Sequence, residues 1–123
     1  MNATALLTVP AADTVGHNPL EAAKPLLLLG WTAPAALICR VAFEEVLRNY
    51  IYAHGYRNAF TYRTGNVLKV IRHKRMVPRD TYGRLDDLNR KLSRLAHGGD
   101  AVLHEAMRLI EDTERAIAEL AHA

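Results

Sequence analysis

The sequence predicts an all-α protein, a bundle of four to five helices joined by short loops. Leu85, Leu88, Leu92 and Leu95 recur at spacings of 3, 4 and 3. Leu103, Ala106, Ile110, Thr113, Ile117 and Leu120 keep the same rhythm. Both runs describe one face of a helix, not the alternation of a strand. The third observation is the stretch from Ala35 to about His54, which no Pro or Gly interrupts.

Residues 1–17 lack periodicity and read as an N-terminal arm; residues 18–123 read as a single helical-bundle domain. Asn18-Pro19 is an N-cap followed by Pro at the first helical position, and that helix stops at Gly30, with a kink or an early break expected at Pro25. Thr32 can cap the second helix, with Pro34 in its first turn. Ala36, Phe43, Leu47, Tyr50 and His54 fall on one side of it, and Leu37, Val41 and Ile51 broaden the apolar face. Apolar residues over so much of the circumference mark the middle of the bundle. Residues 55–65, rich in Gly, Asn, Thr and aromatics, read as a loop or a short strand. A third helix runs from about Asn66 to Arg75, with Val67, Val70 and Ile71 inward, and Pro78 ends it. A fourth starts near Asp80 or Thr81 and stops at Gly98-Gly99. Asp100 can cap the fifth.

The chain has 123 residues, half of them apolar and 24% charged, which suits one globular domain and not disorder. One cysteine, Cys39, excludes an internal disulfide and a Cys-based zinc cluster, and a reducing cytoplasmic setting is the simplest expectation. The longest apolar stretch, Pro25 to Cys39, contains Gly30 and Pro34 and falls short of the about 20 residues a membrane span needs. No basic residue precedes the short apolar run near the N-terminus, so a secretory signal is not expected.

Charge is unevenly placed. Residues 55–80 carry a net +6, against −1 before them and −2 after. Lys69, Arg72, Lys74, Arg75 and Arg79 lie in that segment, and such a patch is the electrostatic footprint of a phosphate-rich partner. Tyr50, Tyr52, Tyr56, Phe60 and Tyr62 cluster beside it with Arg57 and Arg63; packing is the simpler use for these rings, stacking on unpaired bases the sharper one.

On the fourth helix, Arg90, Arg94 and His97 share one narrow stripe opposite the leucines, at 100° per residue, with Asp87 extending it. Guanidinium groups hold a phosphodiester and an imidazole moves a proton near pH 7. A solvated face with Asp87 paired to a neighbour is the plainer reading. Arg48 and His54 do not share a face of an intact helix, so they rank behind this stripe. Arg40 and Glu44, four apart, read as a structural ion pair. Trp31 reads as a plug for the bundle end. His97, Asp100 and His104 have donors for a metal in principle, but there is no HExxH and no cysteine partner, and neither a metal nor a cofactor is expected.

Two segments resemble the HEPN superfamily. Arg40, Val41, Ala42, Phe43 and Glu44 match the Arg, two small residues, an apolar residue and Glu of its central helix. The run from Leu85 to Gly99, with Ala96-His97-Gly98, is similar to its Arg-containing helix ending in Ala-His-Gly. The likeness covers about residues 20–120. It implies a helical bundle, usually a homodimer or a subunit of a complex. It also implies a metal-independent ribonuclease of toxin–antitoxin or antiviral defence systems, with an antitoxin as possible partner, or a non-catalytic nucleic-acid-binding relative. The family's signature is an Arg followed within two helical turns by a His. Arg90 and His97, with six residues between them, stand at the outer limit of that spacing; the commonest alignment has Arg and Asn where this chain has Leu92 and Ser93. On this resemblance His97 is the acid or base, Arg90 and Arg94 stabilise charge on phosphorus, and the basic segment holds RNA.

Overall fold

A computed structural model describes residues 19–121; the arm and the Asn18 cap lie outside them. Five α-helices make an all-α bundle, with no strand among the described residues. A 3-10 turn over Pro19–Ala22 leads into α1, Ala23–Leu28. Pro25 therefore sits in the first turn of α1, where its missing N–H breaks no helical bond, so it divides the predicted helix without kinking it. Leu20, Ala23 and Leu27 bury one side of this piece.

The chain reverses at Gly30, whose φ of 84° is open to glycine. The Trp31 N–H reaches back to the Leu26 carbonyl at 2.9 Å, closing the helix end. α2 then runs over Thr32–Ala53. Thr32 lies inside its first turn and does not cap it; Trp31 is the N-cap and makes no side-chain cap bond. Ala35, Ala36, Cys39, Phe43, Leu47, Tyr50 and Ile51 are buried, which makes α2 the central helix. Its apolar circumference is not fully used, however, because Leu37 and Val41 stay 50% and 54% exposed.

Residues 55–63 form a loop with one 3-10 turn, Ala59–Thr61. α3, Thr64–His73, starts two residues before the predicted Asn66, and buries Val67, Leu68 and Ile71. α4, Arg79–Ala96, buries Leu85, Leu88, Leu92 and Leu95 as the spacing requires. α5, Leu103–Ala121, begins after Val102, whose carbonyl accepts from the Glu105 and Ala106 N–H groups; Asp100 therefore does not cap it. Leu103 is exposed, so the inward face begins at Ala106.

The start of α2 (Thr32, Ala35, Cys39) lines one small cavity with the end of α4 (Leu92, Leu95) and the start of α5 (Ala106, Leu109). Thus α2 is antiparallel to α4 and parallel to α5. The two turns at Gly30–Trp31 and Gly98–Ala101 share one end of the bundle. At the other end, the Tyr50 hydroxyl donates to the Met76 carbonyl at 3.0 Å and ties the α3–α4 connection to the last turns of α2.

Candidate nucleic-acid interface

The basic segment folds into a corner. α3 ends at His73, the connection turns at Arg75, and α4 starts with Arg79. Amphipathic spacing puts Val67 and Ile71 inward, so Lys69 and Arg72 point out; Lys74, Arg75 and Arg79 are exposed as well. Arg72, Arg75 and Arg79 line one groove together with Val77, Tyr82 and Gly83. The Arg72 guanidinium lies over the Tyr82 ring, 5.9 Å from its centroid.

Ion pairing sorts the molecule's cations. Lys24, Arg40, Arg84, Arg90, Lys91 and Arg115 each face a carboxylate. Among the described residues, none of Arg57, Arg63, Lys69, Arg72, Lys74, Arg75 and Arg79 does. The corner's cations are thus held in no ion pair, with Asp80 the acidic residue of that segment. Arg75 adds to this. It occupies the left-handed region, with φ 50°, and is the described non-glycine residue with a positive φ. The Met76 N–H bonds to the Ile71 carbonyl at 3.1 Å, so Arg75 stands where a helix end ordinarily takes glycine.

The predicted catalytic stripe lies far from this corner. Arg79 opens α4 and His97 follows its last residue, so the length of an 18-residue helix, about 27 Å, separates them. His97 is exposed, and its Nδ1 is 2.7 Å from the Ser93 carbonyl. A carbonyl only accepts, so Nδ1 donates, and in the neutral ring Nε2 carries the lone pair and faces away. Arg94, one turn earlier, is exposed and without an ion pair. Arg90 is 3.5 Å from Asp86 and 3.9 Å from Asp87, while Lys91 holds Asp87 at 2.8 Å. The predicted pairing of Asp87 with a neighbour is therefore present, and it offsets the charge of Arg90. Gly99 closes the helix end over Arg94: its N–H bonds to the Arg94 carbonyl at 2.9 Å, and a Cβ there would come within 2.8 Å of that oxygen. Trp31 is 57% exposed on the same end of the bundle and does not plug it.

A second polar cluster straddles α2 and α3. Arg40 Nε is 3.5 Å from Glu44, in keeping with the predicted pair, and Thr64 donates its hydroxyl to the same carboxylate. Arg48 Nε donates to the Tyr62 carbonyl at 3.0 Å, and its Nη2 to Thr64 Oγ1 at 3.5 Å. The spacing that separates Arg48 from His54 on the helix holds here, for His54 turns away to the Tyr50 carbonyl, 2.7 Å from its Nδ1. Arg40 Nε is buried and has no hydrogen bond.

The sequence reading missed Tyr82, placing its stacking candidates on Tyr50, Tyr52, Tyr56, Phe60 and Tyr62 instead. Tyr50 is buried, and Tyr52 packs with Phe60, their rings 5.8 Å apart. The signal for Tyr82 was its neighbour Gly83, unusual inside an amphipathic helix. Cys39 is free and buried, and burial pushes its thiol up to about 11, which makes it inert as a nucleophile. Among the described residues no three His, Cys, Asp or Glu side chains converge as metal ligands, and no helix is long and apolar enough to cross a membrane. No family model, curated protein or solved structure matches the chain.

Proposed function

We propose that the protein is a HEPN-like module that binds nucleic acid, RNA foremost, through the α3–α4 corner. The observation that carries this is the sorting of charge: cations elsewhere largely face carboxylates, and those of the corner do not. Backbone contact of this kind releases counterions, with a slope of about −0.7 in log K against log salt per phosphate on a single strand. Five contacts from Lys69, Arg72, Lys74, Arg75 and Arg79 therefore give a slope of about −3 to −4. Fluorescence anisotropy with a labelled RNA, titrated from about 50 to 200 mM salt, measures it. Replacing Arg72, Lys74 and Arg75 by Gln is expected to flatten the slope by about 2 and to weaken binding at least about tenfold. Unchanged affinity in that variant would sink the reading.

A second reading, metal-independent RNA cleavage in a toxin or defence setting, is favoured by His97. Its outward Nε2 is the acceptor a general base needs. In this reading Nε2 takes the proton of an RNA 2′-OH, whose oxygen attacks the adjacent phosphorus. The P–O5′ bond breaks, and the leaving 5′ oxygen takes a proton from water while Nε2 gives up its own to solvent, leaving a 2′,3′-cyclic phosphate and a 5′-OH; Arg94 stabilises the charge on the phosphoryl oxygens, with Arg90 secondary because Asp86 and Asp87 already oppose it. The test is cleavage in excess chelator, wild type beside His97→Ala. Cyclic-phosphate product from wild type alone establishes it, while equal product from both, or none from either at high protein concentration, removes it. RNA binding by the corner is expected to survive His97→Ala.

The homodimer belongs to the same proposal. The Leu37–Val41 stripe of α2 is uncovered, and Arg40 and Glu45 flank it on opposite sides.

A further inference from the structure

Gly83 is the feature of the corner that the fold itself does not explain. It is exposed inside α4, its φ is not positive, and a Cβ built on it would meet nothing within 4 Å. Neither a turn nor close packing calls for glycine there, yet glycine in a helix interior is clearly worse than alanine. It lines the same groove as Tyr82 and adds no side chain to it. The groove spans about 670 Å³ and is open to solvent on one side, so a group bound in it would be partly exposed. Tyr82 is half-buried, so its ring is held by the fold rather than swinging free, and the Arg72 guanidinium already lies over it.

We infer that Arg72 and Tyr82, beside Gly83, form a subsite for one unpaired nucleobase, with Arg75 and Arg79 on the phosphates either side. This rests on the nucleic-acid reading above and narrows it to single strands. A planar base stacks on an aromatic ring or on a guanidinium plane. In a duplex both faces of each base are already covered by neighbours, so a duplex reaches the arginines but not the stack. Tyr82 and Gly83 are then specificity-determining positions, whereas the arginines serve both kinds of strand.

The test compares an unstructured RNA of about 12 nucleotides with a duplex of the same length. Stacking of a base is worth roughly tenfold in affinity by substitution. Tyr82→Leu and Gly83→Leu are each expected to lose about tenfold on the single strand, with duplex affinity and salt slope unchanged, and Tyr82→Phe to retain wild-type binding. Gly83→Leu keeps the test alive if loss of the half-buried Tyr82 ring unfolds the protein, because its site is exposed and helical. A parallel fall on single strand and duplex, or no fall on either, overturns the subsite and leaves the backbone-binding reading standing. Wild-type protein with no salt-dependent RNA binding overturns both.

Discussion

Arg75 is where local cost and surface chemistry meet. A side chain in the left-handed region costs roughly 1–2 kcal/mol relative to its usual conformation, and glycine in the same place avoids that clash at some cost in chain entropy. The backbone bond from Met76 to Ile71 needs only the conformation, not the guanidinium. Arg75→Gly is therefore expected to raise stability by about 1 kcal/mol while lowering RNA affinity about fivefold, read by urea denaturation and by anisotropy on one protein preparation. A variant that gains stability and keeps its affinity would show that Arg75 is tolerated rather than used. His54 and His97 make the opposite point. Both end a helix with Nδ1 donating to the carbonyl four residues back. One imidazole nitrogen can serve the helix while the other stays free, so the helix-end bond of His97 is compatible with the cleavage reading proposed above.

At the scale of elements, legibility followed the number of side chains that vote. The leucines of α4 fix its inward face, because each buried side chain reports the same one, and the expected start at Asp80 or Thr81 lies one or two residues from the observed Arg79. Ends decided by a single polar residue were not legible. Thr32 and Asp100 look like caps, but α2 begins at Thr32 itself and α5 begins past Val102, with no side-chain cap bond at the former. Thr64 begins α3 earlier than its hydrophobic pattern because its hydroxyl is committed to Glu44, a contact between residues 20 apart that no local pattern encodes. The same holds for the candidate site. Charge clustering in residues 55–80 was visible in composition, whereas the meeting of Arg72 with Tyr82 depends on the angle at which α3 returns to α4. The distance from that corner to His97 likewise follows only once both are known to sit at opposite ends of one helix.

For the whole molecule, the 27 Å or so between the basic corner and His97 sets what one chain can do alone. A strand bound at the corner must extend several nucleotides along α4 before it meets the imidazole, and the α4–α5 face beside that path carries Asp87, Asp112 and Glu119 with their partner cations, so it offers little net attraction. A second copy changes this arithmetic by adding another corner and another His97. The central helix has the surface for it: Leu37 and Val41 exposed, Ile38 and Ala42 beside them, and a buried Arg40 Nε with no hydrogen bond. Two such helices laid parallel set Arg40 of each against Glu45 of the other, the flanking-charge arrangement with which helix pairs choose partner and orientation. The expected mass in sedimentation equilibrium is that of two chains. Val41→Glu, at a position already half exposed, is expected to give a single-chain mass with unchanged helix content, and Arg40→Glu with Glu45→Arg to restore the dimer that Arg40→Glu alone weakens. If RNA cleavage is present, it must disappear with Val41→Glu while binding at the corner persists with the same salt slope; a monomeric wild type, or an active monomeric variant, removes the second copy from the mechanism and leaves His97 to act within one chain.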